Sequence, residues 1–306
     1  GAWRALEGGW LVEDAVGKKR PEEAWGLTGT RAVGPPGASL LVGFDARAGT
    51  ADDVARIQVS WLDAPDAGAL EVAVDGEVVA TPPPPPPGSP PRARVLELAA
   101  PGNQHEVTLT SVGDAPVAVF GVSHEVLRPG IVYDALGLPG ATSMTLAGYA
   151  QQPLVDQLRA REVDLFVLFY GTNEASLPGE AVAAGLRPAY GKILTTLRLA
   201  SPFASCLVLG PTDRMSRKKR GAPWRPAESG DVVATELEVL AQEYGCAYWS
   251  TRSAMGGAGA IDRWWRASPP LAHRDHVHLT RMGYQQLAER YVADLLDAYD
   301  AWRAAR

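Results

Sequence analysis

Three of the five histidines in this 306-residue chain fall within six residues, in the stretch Leu271–Thr280, LAHRDHVHLT. His273, His276 and His278 surround Arg274 and Asp275. Two chemistries suit these residue types. A carboxylate bonded to an imidazole Nδ1–H fixes the ring's tautomer and stabilises the imidazolium, leaving Nε2 to take a proton from a nucleophile. Asp275 and His278 are three apart, and in a helical turn that spacing puts both side chains on one side. The alternative is a metal site made of the three histidines with Asp275, since histidine-rich tracts bind metals. The spacing matches no zinc pattern closely, so acid–base chemistry is the favoured reading and no metal is expected. His273 and His276 are then expected to be satisfied surface histidines. Arg274 could orient a substrate or pair with a surface carboxylate.

Two earlier loops offer complementary groups. Gly171-Thr172-Asn173-Glu174 directly follows the apolar run DLFVLFY. Asparagine at the carboxyl end of a strand can aim a neutral donor at a developing oxyanion. The same residues can also simply turn the chain and cap a helix. Leu138–Ser143, LPGATS, follows the strand-like GIVYDAL. Glycine permits close backbone approach, so the Gly140 N–H is a candidate second donor.

The elements that must position these loops come in two grammars. From about residue 37 to 126 the chain reads as short β-branched strands: SLLVGF, RIQVSWL, LEVAVDGEVVAT, RVLELAA, HEVTLTSV and VAVFGVSHEV. Asp75-Gly76 is a strong two-residue hairpin signal. Successive hairpins without helices predict an antiparallel sandwich or jelly roll. TPPPPPPGSPP (Thr81–Pro91) lacks the donors a central strand needs and reads as a stiff polyproline loop. From about residue 127, apolar strands alternate with amphipathic helices. PLVDQLRAR is helical and VDLFVLFYG is a buried strand. GEAVAAGLRPAYGKILTTLRLA is a helix interrupted near Pro188. SCLVLGP and CAYWS are strands on either side of the helix GDVVATELEVLAQEYG, and a final helix opens near Thr280, a good N-cap. This pattern predicts an α/β domain, a parallel sheet covered on both faces. Its functional loops follow the strand ends at Gly171, Pro211 and Thr251. The N-terminal piece, with Trp3, Trp10 and Trp25, fits neither half cleanly.

Bulk properties narrow the partners. A net charge of −6 recommends no nucleic acid, and no apolar run approaches a membrane span. The chain opens on Gly1 rather than Met, which suggests a trimmed product. Cys206 and Cys246 each open an apolar run. The simpler expectation is two buried, reduced residues, with a bridge only if the runs are neighbouring strands. The basic run Arg217–Arg220 could attract an acidic polymer or be a solvated loop. Trp224, Trp264 and Trp265 could stack on sugar faces or pack internally, and Gly256, Gly257 and Gly259 form a flexible lip.

Gly140, then GTNE, then DHVH before a terminal helix, in that order on an α/β chain, resembles the SGNH (GDSL) hydrolase superfamily. That family carries a GDS serine, a glycine, a GxN asparagine and a DxxH pair. The resemblance covers roughly residues 127–306 and implies His278 as base, Asp275 as its orienter, and Asn173 and Gly140 as the oxyanion hole. No GDS occurs in the chain. Gly121-Val122-Ser123 lies inside a sandwich strand rather than at a strand-to-helix elbow, and Ser143 lies in the glycine loop; neither suits a nucleophile.

The layout, with AMGGAGAIDRWW and PPLAHRDHVHLTRMGY, also resembles bacterial peptidoglycan O-acetylesterases. Those carry a carbohydrate-binding-like β-sandwich inserted after the serine block. The resemblance implies residues 1–30 as catalytic-domain sequence, 31–126 as the sandwich and 127–306 as a three-layer SGNH-hydrolase-like domain. It places the nucleophile upstream of Gly1. It further implies a serine esterase acting without cofactor on an O-acetylated glycan, in the periplasm or outside the cell. The rival readings are a non-catalytic glycan-binding protein with a degenerate hydrolase domain, and a zinc-dependent deacetylase.

Overall fold

A computed structural model describes residues 2–6 (as backbone only), 9–16, 23–44, 50–217 and 219–305. The Trp3 side chain and Lys218 of the basic run lie outside the described residues. The chain divides into two compact units. One comprises Gly1–Ala141, Gly148–Val163 and Thr196–Pro202; the other comprises Thr142–Ala147, Asp164–Thr195 and Phe203–Arg306.

Among the described residues the first unit is an antiparallel sandwich of ten strands: β1 (Ala2–Leu6), β2 (Leu11–Asp14), β3 (Thr30–Gly34), β4 (Ser39–Gly43), β5 (Val54–Asp63), β6 (Ala69–Val74), β7 (Glu77–Ala80), β8 (Arg92–Pro101), β9 (Glu106–Val112) and β10 (Val117–Val126). They form two sheets, ordered β1-β4-β9-β6-β7 and β2-β3-β10-β5-β8. The alternation seen in the sequence becomes burial. In β6 every second residue, Leu70, Val72 and Val74, is buried. Leu40, Leu70, Val72, Val107 and Leu109 of one sheet pack with Ile57, Val59, Val117 and Val119 of the other, each at most 1% exposed. Burying each such side chain contributes roughly 1.5–3 kcal/mol. Asp75 and Gly76 both take positive φ, 51° and 85°, as a tight hairpin requires. The proline run forms no strand.

The N-terminal segment departs from expectation. β1 pairs with β4 and β2 with β3, so both strands belong to the sandwich sheets rather than to catalytic-domain sequence. Trp10 joins the sandwich core, 4% exposed. A buried indole is the anchor that the glycine-rich context concealed.

The remaining elements are α1 (Ser143–Ala147), α2 (Gln151–Arg161), β11 (Leu165–Leu168), α3 (Gly179–Ala200), β12 (Ser205–Leu209), β13 (Met215–Ser216), β14 (Arg225–Pro226), α4 (Gly230–Glu243), β15 (Ala247–Trp249), α5 (Thr251–Met255), α6 (Ala260–Arg266) and α7 (Arg281–Ala304). Helix α2 clusters with the first unit, where Arg92 pairs with Asp156 at 2.7 Å and Gln58 Nε2–H donates to the Ala160 carbonyl at 2.9 Å. In the second unit β11, β12 and β15 form a parallel sheet. The α/β class, with a parallel sheet beside antiparallel sheets, is as expected.

Three local expectations fail for physical reasons. GIVYDAL forms no strand, and Ile131 and Tyr133 are 96% and 83% exposed, because no described strand pairs with it. Strand β11 is not fully buried: it pairs only with β12 among the described residues, leaving Leu165 and Val167 46% and 40% exposed. Helix α3 runs through Pro188 unbroken, because Leu186, Ala189, Tyr190 and Ile193, each at most 5% exposed, hold both of its halves to the core.

Cys206 and Cys246 are bridged, not reduced, with Cα atoms 4.8 Å apart. The register explains it: Leu207 lies opposite Ala247 in adjacent parallel strands, so the preceding cysteines face each other. The bridge closes a separation of 40 residues. Replacing both cysteines with serine should cost about 2–4 kcal/mol in denaturant unfolding. Thiol titration of unreduced, denatured protein should find no free thiol; a stoichiometric thiol signal would contradict the bridge.

Candidate active site

The DHVH loop is built on an apolar base. Ala272 and Leu279 form an isolated antiparallel bridge and are 1% and 3% exposed. Both pack in a cluster with Met255, Ala260, Ile261, Trp264 and Leu287. His273 N–H donates to the His278 carbonyl at 2.8 Å, and Thr280 N–H to the Leu271 carbonyl at 2.9 Å, closing the loop. Thr280 caps α7 by accepting from Gly283 N–H at 3.2 Å, as the sequence indicated.

Inside this closed loop Asp275 makes three hydrogen bonds. Its Oδ1 accepts from Val277 N–H and His278 N–H, both at 3.0 Å. Its Oδ2 lies 2.9 Å from His278 Nδ1. The D-x-x-H spacing is therefore realised by an aspartate-capped turn, not by the helical turn expected, because the carboxylate captures the amides that a helix would use. His276 makes the turn possible by adopting φ 54°, a conformation histidine tolerates better than most residues. Partial burial pushes the Asp275 carboxyl up. The His278 ring and the two amides more than offset this and hold its pKa at about 2. The pair itself is open, with His278 70% and Asp275 47% exposed as side chains.

The GTNE loop lies in the same unit. Gly171 takes φ 110°, and a Cβ there would meet Leu237 and Val233 at 3.0 Å, so only glycine fits between strand end and helix α4. Asn173 precedes the 3-10 turn Glu174–Ser176. Arg214, which the sequence reading passed over, donates from Nη1 to the Thr172 carbonyl at 2.6 Å. Burial lowers its pKa, and the charge of Asp275 opposes that shift. Next to it, Met215 N–H donates to the His276 carbonyl at 3.0 Å. The segment after β12 thus ties the GTNE loop to the DHVH loop. PTDRMS gives little hint of this beyond its position at a strand end.

The sequence-predicted residues now have places. Asn173, Asp275 and His278 lie in the second unit. Gly140 lies in the first, in a turn at φ 79°, where an added Cβ would meet Val16 at 3.7 Å. Ser143 is fully buried, and its hydroxyl donates to Met144 Sδ at 3.5 Å. Ser123, on β10 of the first unit, accepts from Arg161 Nη1 at 3.2 Å.

Among the described residues no group of three or more His, Cys, Asp or Glu side chains is arranged to hold a metal ion. His276 is not a surface histidine. It is 1% exposed, with Trp224 and Trp265 against its ring at 4.5 and 4.9 Å between centroids. Arg217 covers Trp224 at 4.5 Å and Arg266 covers Trp265 at 5.4 Å. Trp264 is buried and donates to the Met255 carbonyl at 3.0 Å, a packing role. The glycine lip is tied by Arg263, which donates to the carbonyls of Gly256 and Ala258 at 2.8 and 3.0 Å.

The sequence profile of the GDSL-like lipase/acylhydrolase family matches residues 118–286, more than half of the chain. The chain belongs to this family. Among solved structures, a peptidoglycan O-acetylesterase is 20% identical to this GDSL-like chain, with a TM-score of 0.73 over 97% of this chain and 78% of that one. A Bacillus subtilis protein is 11% identical, with a TM-score of 0.39 over 94% of this chain and 88% of its own. No curated protein sequence matches the chain. No helix among the described residues is long and apolar enough to cross a membrane.

Burial lowers the pKa of His276 below its ordinary 6.5, with Asp262 and Asp275 opposing the shift and Arg266 and Arg217 adding to it. The unfolded chain therefore binds this proton more readily than the fold does. Stability should fall as pH drops through about 6.5. His276→Asn, which tolerates the positive φ, should flatten the loss of Tm between about pH 7 and 5. An unchanged slope would remove His276 as its source.

Proposed function

We propose that the protein is a serine esterase that removes O-acetyl groups from a carbohydrate polymer, with peptidoglycan the favoured substrate. The observation that carries the reading is the Asp275–His278 pair at 2.9 Å, tied through the Arg214–Met215 segment to the loop bearing Asn173. Family membership supports acyl hydrolysis, and the fold shared with a peptidoglycan O-acetylesterase supports the substrate class. The disulfide supports an oxidising compartment, the periplasm or the exterior.

In this mechanism a serine attacks the ester carbonyl while His278 Nε2 accepts its proton. Asp275 stays ionised, holds the ring and stabilises the imidazolium. The Asn173 amide binds the tetrahedral oxyanion. Water activated by His278 then releases acetate. The nucleophile is assigned to a segment upstream of Gly1, since Ser143 is buried on Met144 and Ser123 is engaged by Arg161. The edge of β11 supports this, because β11 pairs only with β12 among the described residues and its other edge has backbone groups for a further parallel strand.

The test uses the full gene product and 4-nitrophenyl acetate. His278→Ala should abolish turnover without changing the fold, and wild-type rates would overturn the base assignment. Asn173→Ala should lower kcat roughly 10²–10³-fold with little change in KM. The coding sequence upstream of Gly1 should carry a Gly-Asp-Ser segment; its absence would return the glycan-binding reading to first place.

A further inference from the structure

The carboxylate of Glu174 is fully buried, at 0% exposure, directly beside the residue assigned to the oxyanion. Buried carboxylates are costly unless hydrogen bonds replace their lost water. Here the replacement is backbone. Oε2 accepts from Gly171 N–H at 3.0 Å and Oε1 accepts from Ser143 N–H at 2.6 Å. Gly171 is the hinge of the loop after β11, and Ser143 follows the Gly140 turn by three residues. One side chain therefore fastens two segments that the sequence keeps 28 residues apart (171 − 143).

The rest of the loop is already tied. The Gly171 carbonyl accepts from Ala175 N–H at 2.8 Å, and the Asn173 carbonyl from Ser176 N–H at 3.1 Å. The Thr172 carbonyl is held by Arg214. Glu174 supplies the remaining anchor, the amide at the loop's origin. Its charge also reaches Tyr170, whose pKa is raised to about 12 mainly by burial and further by Glu174.

We propose that Glu174 is a positioning residue for Asn173: by accepting the N–H groups of Gly171 and Ser143 it sets the backbone from which the Asn173 amide meets the oxyanion. The proposal rests on the acyl-transfer reading above. It assigns Glu174 no contact with substrate and no proton.

Glu174→Gln keeps the shape but offers one acceptor oxygen where two are needed, setting an amide N–H₂ against a backbone N–H. In the full gene product with 4-nitrophenyl acetate, Glu174→Gln should lower kcat about 10–100-fold while KM stays within about twofold. The double variant with Asn173→Ala should be no slower than Asn173→Ala alone, because both remove one function. A wild-type kcat in Glu174→Gln, or a loss that adds fully to that of Asn173→Ala, overturns the proposal. A wild-type kcat in Asn173→Ala overturns the underlying reading instead.

Should Glu174→Gln fail to fold, Ser143→Pro removes one of the two donors at the first position of α1, where proline is tolerated, and takes its place in the same comparison. Independently of activity, hydrogen exchange at the Gly171 or the Ser143 amide should be at least about tenfold faster in Glu174→Gln, and unchanged exchange at both in the folded variant also overturns the clamp.

Discussion

The three hydrogen bonds accepted by Asp275 are the constraint on which the rest of the site depends. One carboxylate closes a turn through Val277 and His278 amides and holds the His278 ring through Nδ1. The same oxygens close the turn and hold the ring, so the turn cannot form without orienting the imidazole. The arrangement needs a residue that accepts a positive φ at the centre of the turn, and His276 supplies it. Its ring is then carried inward, between Trp224 and Trp265, so the strained position is also the anchored one.

This turn is anchored at its ends, which are buried. Ala272 and Leu279 pair across the loop and pack into the cluster of α5, α6 and α7. The parallel sheet serves the same purpose for the other loop. β11 and β12 end side by side, and the segments that follow them are linked at Thr172 through Arg214 and through the Thr172 and Thr212 hydroxyls at 3.1 Å. The sandwich, by contrast, holds itself together by alternate apolar residues from both of its sheets. Its polar ties, such as Arg56 to Glu125 at 2.7 Å, secure strands rather than build a reaction centre.

Much of this was legible in the sequence, for identifiable reasons. Period-two alternation and Asp75-Gly76 announce the sandwich strands, because one face of each must be dry. The Asp275–His278 contact and the Thr280 cap are legible because they are local, made within a few residues. What escaped was decided by distant partners. Whether GIVYDAL becomes a strand depends on another strand beside it. Whether Cys206 meets Cys246 depends on the register of β12 against β15. Whether Glu174 is a surface helix-start acid or a buried clamp depends on Ser143, far away along the chain. His276 looked like its neighbours, and indoles from two other segments pack against its buried ring.

The exposure of the pair says what kind of help Asp275 gives. At 47% exposed, its charge is screened by water, so in the proposed acyl transfer its long-range attraction to a forming imidazolium is modest. Its depressed pKa comes instead from hydrogen bonds with fixed geometry, to the ring and to two amides. The carboxylate therefore contributes tautomer and direction more than field strength. In the proposed acyl transfer, that division places the electrostatic stabilisation elsewhere, on neutral donors held by buried anchors. A loop whose peptide groups are fastened by Glu174, Arg214 and its own 3-10 turn can present such a donor without reorganising as charge develops.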